Sequence, residues 1–458
     1  KGDLFNHDLQ QAGKEKLSEL GILSQLQVNY VPRDTTGRTD TLDVVVRAVL
    51  DKPYDAEFEG KVTSKSNGQV GPGVSFSMTK SNAFRNAETL GMSYEWQTGA
   101  DLHGDRSLIN SYEYGVTFDL TYPRMILGRL GKKFSRRASS STQFQLDAKW
   151  MNRANYFGRV SLGARVNYAY QKKRNVKHTF TPIRLDYELQ LHTTPTFDSI
   201  MNANQALYVS MRDQFVPSME YTYNWTSRRH APRTVTVTLK EAGNLTSVIY
   251  RLAGQDFSKR NKQLFNVPFA QYMKATAQYT HLFRLTKRSG IATRIFGGAV
   301  LSYGNARIAP YNDLFTIGGA NSIRAFAVRS IGPGAYHPAS SAYSYIDQMG
   351  DLKIEANVEY RFPIAGNLYG AAFLDAGNVW LLRNDPAKPE GQFRLSRLGK
   401  DIALGTGAGL RYDLDFLVIR FDLGVGLHAP YNTGKNRYYN MPKFGKSLGY
   451  HFAIGYPF

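Results

Sequence analysis

The sequence predicts an all-β transmembrane barrel of sixteen antiparallel strands, and three observations predict it. Apolar and polar residues alternate with period two from Pro53 to Phe458. The apolar stripes are long enough for the roughly 9–11 residues with which a tilted strand crosses a bilayer. The connections between the stripes alternate between long and short, as barrel loops and turns do. No run of about 18 apolar residues occurs, which excludes ordinary transmembrane helices. The mean hydropathy of −0.39 suits a barrel, because half of each strand faces a wet interior. Twenty-nine Tyr and 26 Phe suit interfacial girdles. A large soluble β-protein would share both of these compositional features.

The alternation is plainest in the last strand. Tyr450, Phe452, Ile454, Tyr456 and Phe458 fall on one face, and His451, Ala453, Gly455 and Pro457 on the other. Isoleucine 419, Phe421, Leu423, Val425 and Leu427 likewise oppose Arg420, Asp422, Gly424, Gly426 and His428. A soluble sandwich alternates too, but its other face seldom gathers Arg, Asp, Glu and Gly together as a lumen would. Strand starts are expected near Tyr54, Val70, Ala87, Asn110, Thr142, Tyr156, Lys177, Val216, Thr234, Phe269, Ile291, Gly350, Asn367, Ile402, Leu417 and Leu448. The long connections near 190–215, 243–267, 304–349, 381–401 and 428–447 then fall on one side. Short ones such as Thr286–Gly290 fall on the other, with Arg124–Ser141 a long exception. Within the first of the long connections, Ser199–Asp213 has helical spacing (Met201, Ala206, Leu207, Met211), yet a loop across the barrel mouth is the expectation.

The first fifty residues differ. Asp8–Leu20 places Leu9, Ala12, Leu17 and Leu20 at helical spacing, and Gly21 can end the helix. Two strands follow, Leu26–Val31 and Thr41–Leu50. So small a unit buries little core, and residues 1–52 are expected to be the end of a longer α+β domain preceding a barrel of 53–458. Lys1 opens no signal peptide, which implies a processed chain or a fragment.

The net charge of +20 raises nucleic-acid binding. The basic residues concentrate in connections instead, among them Lys132, Lys133, Arg136, Arg137, Lys172, Lys173, Arg174, Lys177, Arg228, Arg229 and Arg233. No nucleic-acid partner is therefore expected; anionic lipid or lipopolysaccharide headgroups and plain solvated turns both fit. Cysteine is absent, which excludes disulfides and thiolate metal sites. Nine His lie scattered through loops and turns, so no metal site and no cofactor is expected. No spaced nucleophile motif exists, so no catalytic residue and no enzymatic activity is expected.

One segment stands out in the longest connection: Gly318-Gly319-Ala320-Asn321-Ser322-Ile323-Arg324-Ala325-Phe326. It resembles the inward-folded lumen loop of the BamA/TamA superfamily of outer-membrane assembly proteins, with Ala325 replacing the Gly that follows the motif Arg. The resemblance implies that Arg324 meets acidic side chains on the next two strands. Glu359, in Val-Glu-Tyr-Arg-Phe-Pro, matches the first of these; Phe373 and Asp375, in Phe-Leu-Asp-Ala-Gly-Asn-Val-Trp, match the second. Alternation alone puts Glu359 beside Glu355, Asn357 and Arg361, and Asp375 opposite Leu374 and Ala376, so both carboxylates should face the lumen. Gly405, Gly407 and Gly409 share one face of the following strand and leave room for a loop. With Val328–Gly334 and Asn82–Glu95, the chain looks like the TamL lipoprotein branch, and its N-terminal unit like the later part of a periplasmic POTRA domain.

The resemblance implies a protein of the bacterial outer membrane with its POTRA portion in the periplasm. It also implies assembly or export of client outer-membrane proteins or lipoproteins through a lateral seam. The candidate seam sets Tyr54–Ser66, including Tyr54, Phe58 and Val62, against Leu448–Phe458, including Tyr450, Phe452, Gly455 and Phe458. Gly445, Gly449, Gly455 and Pro457 are expected to weaken the closing strand. A periplasm-spanning TamB-like partner or accessory lipoproteins would accompany it. The alternative within the same superfamily is a two-partner secretion transporter that moves an exoprotein through the lumen; a passive porin is a third reading.

Overall fold

The computed structural model describes residues 4–33, 41–64, 69–101, 111–129, 139–153, 157–203, 208, 211–227, 231–256, 262–264, 266–338, 348–414, 417–441 and 443–458. Lys132, Lys133, Arg136, Arg137, Arg228, Arg229, Ala206 and Leu207 lie outside the described residues.

The N-terminal unit is helix α1 (His7–Ser18) followed by the antiparallel pair β1 (Leu23–Pro32) and β2 (Leu42–Leu50). Asn6 caps the helix by accepting from the Leu9 amide at 3.1 Å, and Gly21 turns the chain into β1 with φ +67°.

The rest of the chain is dominated by one antiparallel sheet of sixteen strands. Its first half comprises β3 (Tyr54–Ser64), β4 (Gln69–Ser81), β5 (Thr89–Asp101), β6 (Ser111–Tyr122), β7 (Ser139–Arg153), β8 (Phe157–Lys173), β9 (Val176–Thr193) and β10 (Gln214–Ser227). After β11 (Arg233–Ala242), a two-residue pair, β12 (Gln263–Leu264) with β13 (Val267–Pro268), stands apart from the sheet. The sheet resumes with β14 (Tyr272–Arg284), β15 (Gly290–Ser302), β16 (Leu352–Ala365) and β17 (Leu368–Trp380). It ends with β18 (Ala403–Asp413), β19 (Val418–His428) and β20 (Leu448–Ile454). Each of the sixteen begins within three residues of the start expected from alternation. Neighbours in the sheet are neighbours in sequence throughout, so β3 and β20 are its two ends.

Side-chain alternation divides the sheet into two unlike faces. Leu239, Met273, Ile295, Val358, Leu374, Phe421 and Phe452 are exposed on one, whereas Lys240, Glu355, Glu359, Asp375, Arg411 and Asp422 are buried on the other. Solvent-exposed aliphatic and aromatic stripes of this length belong against hydrocarbon. No helix among the described residues is long and apolar enough to cross a membrane.

Since β3 leads away from the N-terminal unit and the strands are antiparallel, the connections after β9, β11, β15, β17 and β19 all lie at the far end. The first of these carries helix α2 (Pro195–Ala203), and the second carries α3 (Asn244–Leu252). Helix α2 corrects the expectation of an irregular loop. Thr194 caps it, accepting from the Phe197 amide at 3.3 Å, and Pro195 sits where a missing N–H costs nothing. Phe197 and Met201 are buried on its inner side with Met211. A second correction concerns the last strand, expected to run to Phe458. Gly455 adopts φ +82° and ends the ladder after Ile454. Phe458 therefore leaves the outward stripe: its main-chain oxygen accepts from Arg361 Nη2 at 3.3 Å, and its ring lies 5.8 Å from that guanidinium.

Candidate functional site

Within the connection from β15 to β16, the described residues around Asn312–Arg324 pack against the charged face. Asn312 Nδ2 donates to Glu188 Oε1 on β9 at 3.2 Å, and His451 on β20 reaches the Arg324 carbonyl at 2.8 Å. Contacts from one segment to strands from β9 to β20 place it on the concave side of a strongly curved sheet. At its base, Phe315 and Gly350 exchange both main-chain hydrogen bonds at 2.9 Å.

Two glycines let the segment turn on itself. Gly318 and Gly319 have φ of +94° and +91°, and a Cβ on Gly318 would stand 2.3 Å from the Ala327 carbonyl oxygen. The Gly319 amide then donates to Phe326 O at 2.7 Å and closes the turn. Ile323, Ala325 and Phe326 bury their side chains in an apolar cluster with Ile317, Ile331, Val379 and Ala403.

Arg324 is fully buried. Its Nε and Nη2 donate to the two oxygens of Asp375 at 2.8 and 2.9 Å, and its own amide donates to Asp375 Oδ2 at 3.1 Å. Nη1 donates to Glu359. The guanidinium plane lies over Phe373 with Cζ 3.5 Å from the ring centroid. A planar fork held by a bidentate carboxylate and an aromatic face fixes direction as well as distance, which an ammonium could not do. Alternation pointed Glu359 and Asp375 into the lumen and the family resemblance implied that Arg324 meets them beside Phe373; the structure brings these four together.

The charge cluster is larger than sequence reasoning anticipated. Glu359 also accepts from Arg361 Nε at 2.8 Å and Arg411 Nη2 at 3.0 Å. Arg411 Nη1 continues to Asp422 Oδ1 at 2.6 Å, and Arg420 Nη1 to Asp422 Oδ2 at 3.2 Å. Arg420 returns to the loop, donating to Ala320 O at 2.9 Å and to Asn321 Oδ1. Ser322 Oγ donates to Glu355 at 2.8 Å, and Glu355 pairs with Arg294 and Lys353. Such a network makes burial of charge tolerable because each carboxylate meets several donors.

A second anchor lies upstream in the same loop. Asp313 accepts from Lys240 Nζ at 3.0 and 3.1 Å, from Lys274 Nζ at 3.3 Å and from the Tyr272 hydroxyl. Burial pushes its carboxyl up, but the two ammonium groups and the hydroxyl outweigh that and hold it below the ordinary carboxylate value.

The loop's main chain is accommodated by missing side chains. A Cβ on Gly424 or Gly449 would stand 2.4 or 2.5 Å from the Arg324 carbonyl oxygen, and one on Gly405 would stand 2.5 Å from Ala325 Cβ. Of the expected trio only Gly405 meets the loop; Gly407 makes room for Phe373, and Gly409 for Asp422. The signal for Gly424 and Gly449 was their place on the polar faces of β19 and β20.

The seam residues occupy the sheet ends. Tyr54 and Phe58 on β3, and Tyr450 and Phe452 on β20, are exposed on the outer face, and Val62 pairs with Pro72 in the β3–β4 ladder. No register joins β3 to β20 among the described residues. Among those residues there is also no cluster that could hold a metal ion.

Sixteen amphipathic strands whose charged face is filled by their own loop define a membrane protein of the outer-membrane β-barrel class. The chain belongs to the Omp85 superfamily, whose domain matches residues 62–458. It is 31% identical over 118 residues to the outer membrane protein assembly factor BamA of Neisseria meningitidis, a match covering 24% of this chain and 14% of that protein. The fold is similar to that of BamA from Haemophilus ducreyi lacking POTRA domains 1–3, with TM-score 0.64 and 15% identity, over 99% of this chain and 80% of that one. It is also similar to CdiB from Acinetobacter baumannii, with TM-score 0.54 and 14% identity, over 99% and 68% of the two chains.

Proposed function

We propose that this protein closes its sheet into a barrel and assembles or exports client proteins across the outer membrane through a seam between β3 and β20. The observation that carries the reading is the pairing state of the sheet. Among the described residues fifteen neighbouring pairs are laddered, whereas β3 and β20 share no register. An unpaired strand edge in hydrocarbon leaves N–H and C=O groups unsatisfied, each costing several kcal/mol by order of magnitude. A client strand satisfies them by β-augmentation, which needs no covalent chemistry and no cofactor.

In this reading residues 53–458 form the barrel with residues 304–349 folded inward, and residues 1–52 are the end of a POTRA domain in the periplasm. Clients are outer-membrane proteins or lipoproteins, the surrounding lipid includes lipopolysaccharide, and a periplasm-spanning TamB-like partner or accessory lipoproteins work with this chain, itself of the TamL branch. The rival, an exoprotein conduit through the lumen, requires the Arg324 cluster to come apart at each passage, and its many buried ion pairs weigh against that.

The cysteine-free chain makes a clean test possible. One cysteine in 54–64 and one in 448–454, oxidised to a disulfide in native membranes, should abolish client assembly, and reduction should restore it. Full assembly with the strands covalently locked would overturn the seam. Continued export through a locked seam would favour the conduit.

A further inference from the structure

Helix α3 is built inside out for a water-facing helix. Its protein-side face consists of Thr246, Ser247 and Tyr250, with both hydroxyl residues Thr246 and Ser247 buried. Its exposed face is Leu245, Val248, Ile249 and Leu252, at the i, i+3, i+4, i+7 spacing of one helical stripe, and Leu252 is 83% exposed. An aliphatic stripe turned away from the protein needs an apolar partner.

Three features show where the stripe lies. Lys240 points to the concave side, where it meets Asp313, so the next residue, Glu241, points outward with Leu239. Glu241 is aligned across the sheet with Met219 on β10 and Met273 on β14, and Met273 with Leu301 on β15. Met273 and Leu301 are exposed on the outer face, so this row belongs to the surface that meets lipid. The Glu241 carboxylate accepts from the Asn244 amide at 3.3 Å, tying the first turn of α3 to that outer face. Gly243 permits the swing with φ +74°, its amide donating to Pro217 O at 2.8 Å.

We infer that α3 lies in the bilayer interface, at the sheet end opposite the N-terminal unit, with Leu245, Val248, Ile249 and Leu252 among lipid acyl chains. This rests on the membrane placement of the sheet and adds to it a site that the strand pattern does not contain. Lipid is the occupant because the stripe continues an outer face already in hydrocarbon, and because Arg251, on the flank of the stripe, can reach headgroup phosphates. On the outer face below the helix, Met219, Leu239, Met273 and Leu301 line a hollow of about 360 Å³, room for part of an acyl chain.

The test places single cysteines at Ile249, Leu252, Leu239 and Lys287 in the 458-residue chain, which has no other cysteine. Each is labelled with an environment-sensitive fluorophore in phosphatidylethanolamine–phosphatidylglycerol nanodiscs containing a nitroxide-acyl phosphatidylcholine. Leu239 serves as the lipid reference and Lys287, in a short turn at the opposite end, as the water reference. Labels at 249 and 252 should be quenched by the nitroxide as strongly as at 239, and by iodide several-fold less than at 287. Iodide quenching at 249 equal to that at 287, with 239 still quenched from the lipid, would overturn the inference and leave the membrane placement intact. Shielding of 249 from both quenchers would overturn it in favour of a protein covering the helix. Loss of lipid quenching at 239 as well would overturn the placement and the inference together.

Discussion

Replacing Arg324 with Ala should release the inward loop, and its size can be worked from the partners left behind. Glu359 keeps Arg361 and Arg411. Asp375 keeps only the Asn357 Nδ2 donor at 3.0 Å and the main-chain amide of residue 324 at 3.1 Å. Asp375 is therefore the group left without a counter-charge in a fully buried place. Breaking a buried pair by removing one partner costs about 3–5 kcal/mol. At about 1.4 kcal/mol per tenfold, open loop should become roughly two to three and a half orders of magnitude more populated. Hydrogen exchange reads that population directly at the amides of Gly319 and Phe326, which are bonded only when the turn is closed. The double variant R324A/D375A should recover part of the loss, since it removes the stranded carboxylate. Unchanged exchange in a folded R324A barrel would refute the reasoning. It would mean that the apolar packing of Ile323 and Phe326 alone holds the loop.

Gly424→Ala and Gly449→Ala should each accelerate exchange in the same turn at a cost of about 1–3 kcal/mol, because the new methyl displaces the Arg324 carbonyl. Gly445→Ala, with no atom within 4 Å of the added methyl, should leave exchange unchanged. Asp313→Asn should free the upstream anchor from Lys240 and Lys274 at a cost of about 3 kcal/mol, read as proteolysis near Tyr311–Asp313. Because folding holds the Asp313 carboxyl below its ordinary value, its contribution is complete above that value and is lost only as pH falls through the depressed one. An acid titration should therefore loosen this anchor in the wild type and do nothing further in D313N.

Much of this architecture was legible because its governing patterns are local. Period-two alternation located every strand start, and it assigned Glu359 and Asp375 to the same face as their partners before any contact was known. What was not legible depends on register. Arg411 and Arg420 are aligned directly across β18 and β19, a like-charge pair that is tolerable only because Asp422 and Glu359 bind them. Nothing in either strand alone announces that convergence. Helix α2 was different, since Thr194-Pro195 is a readable start signal. The early end of β20 turned on Gly455, which alternation counted as one more polar-face residue although it adopts a left-handed conformation. Helix α3 eluded the pattern because its polar side faces the protein.

The loop and the closing strand are physically one device. β20 has seven residues, whereas every other strand of the large sheet has at least ten, so it is held by the shortest ladder. It gains a second attachment through the loop, since His451 reaches the Arg324 carbonyl and that carbonyl occupies the space above Gly424 and Gly449. The side chain of the same residue is fixed to β16 and β17 through Glu359 and Asp375. Arg324 thus joins a well-laddered part of the wall to its weakest strand, with its main chain on one and its guanidinium on the other. Holding β20 from inside, by one residue whose guanidinium is set on neighbouring strands, supplies an attachment that its seven-residue ladder alone does not.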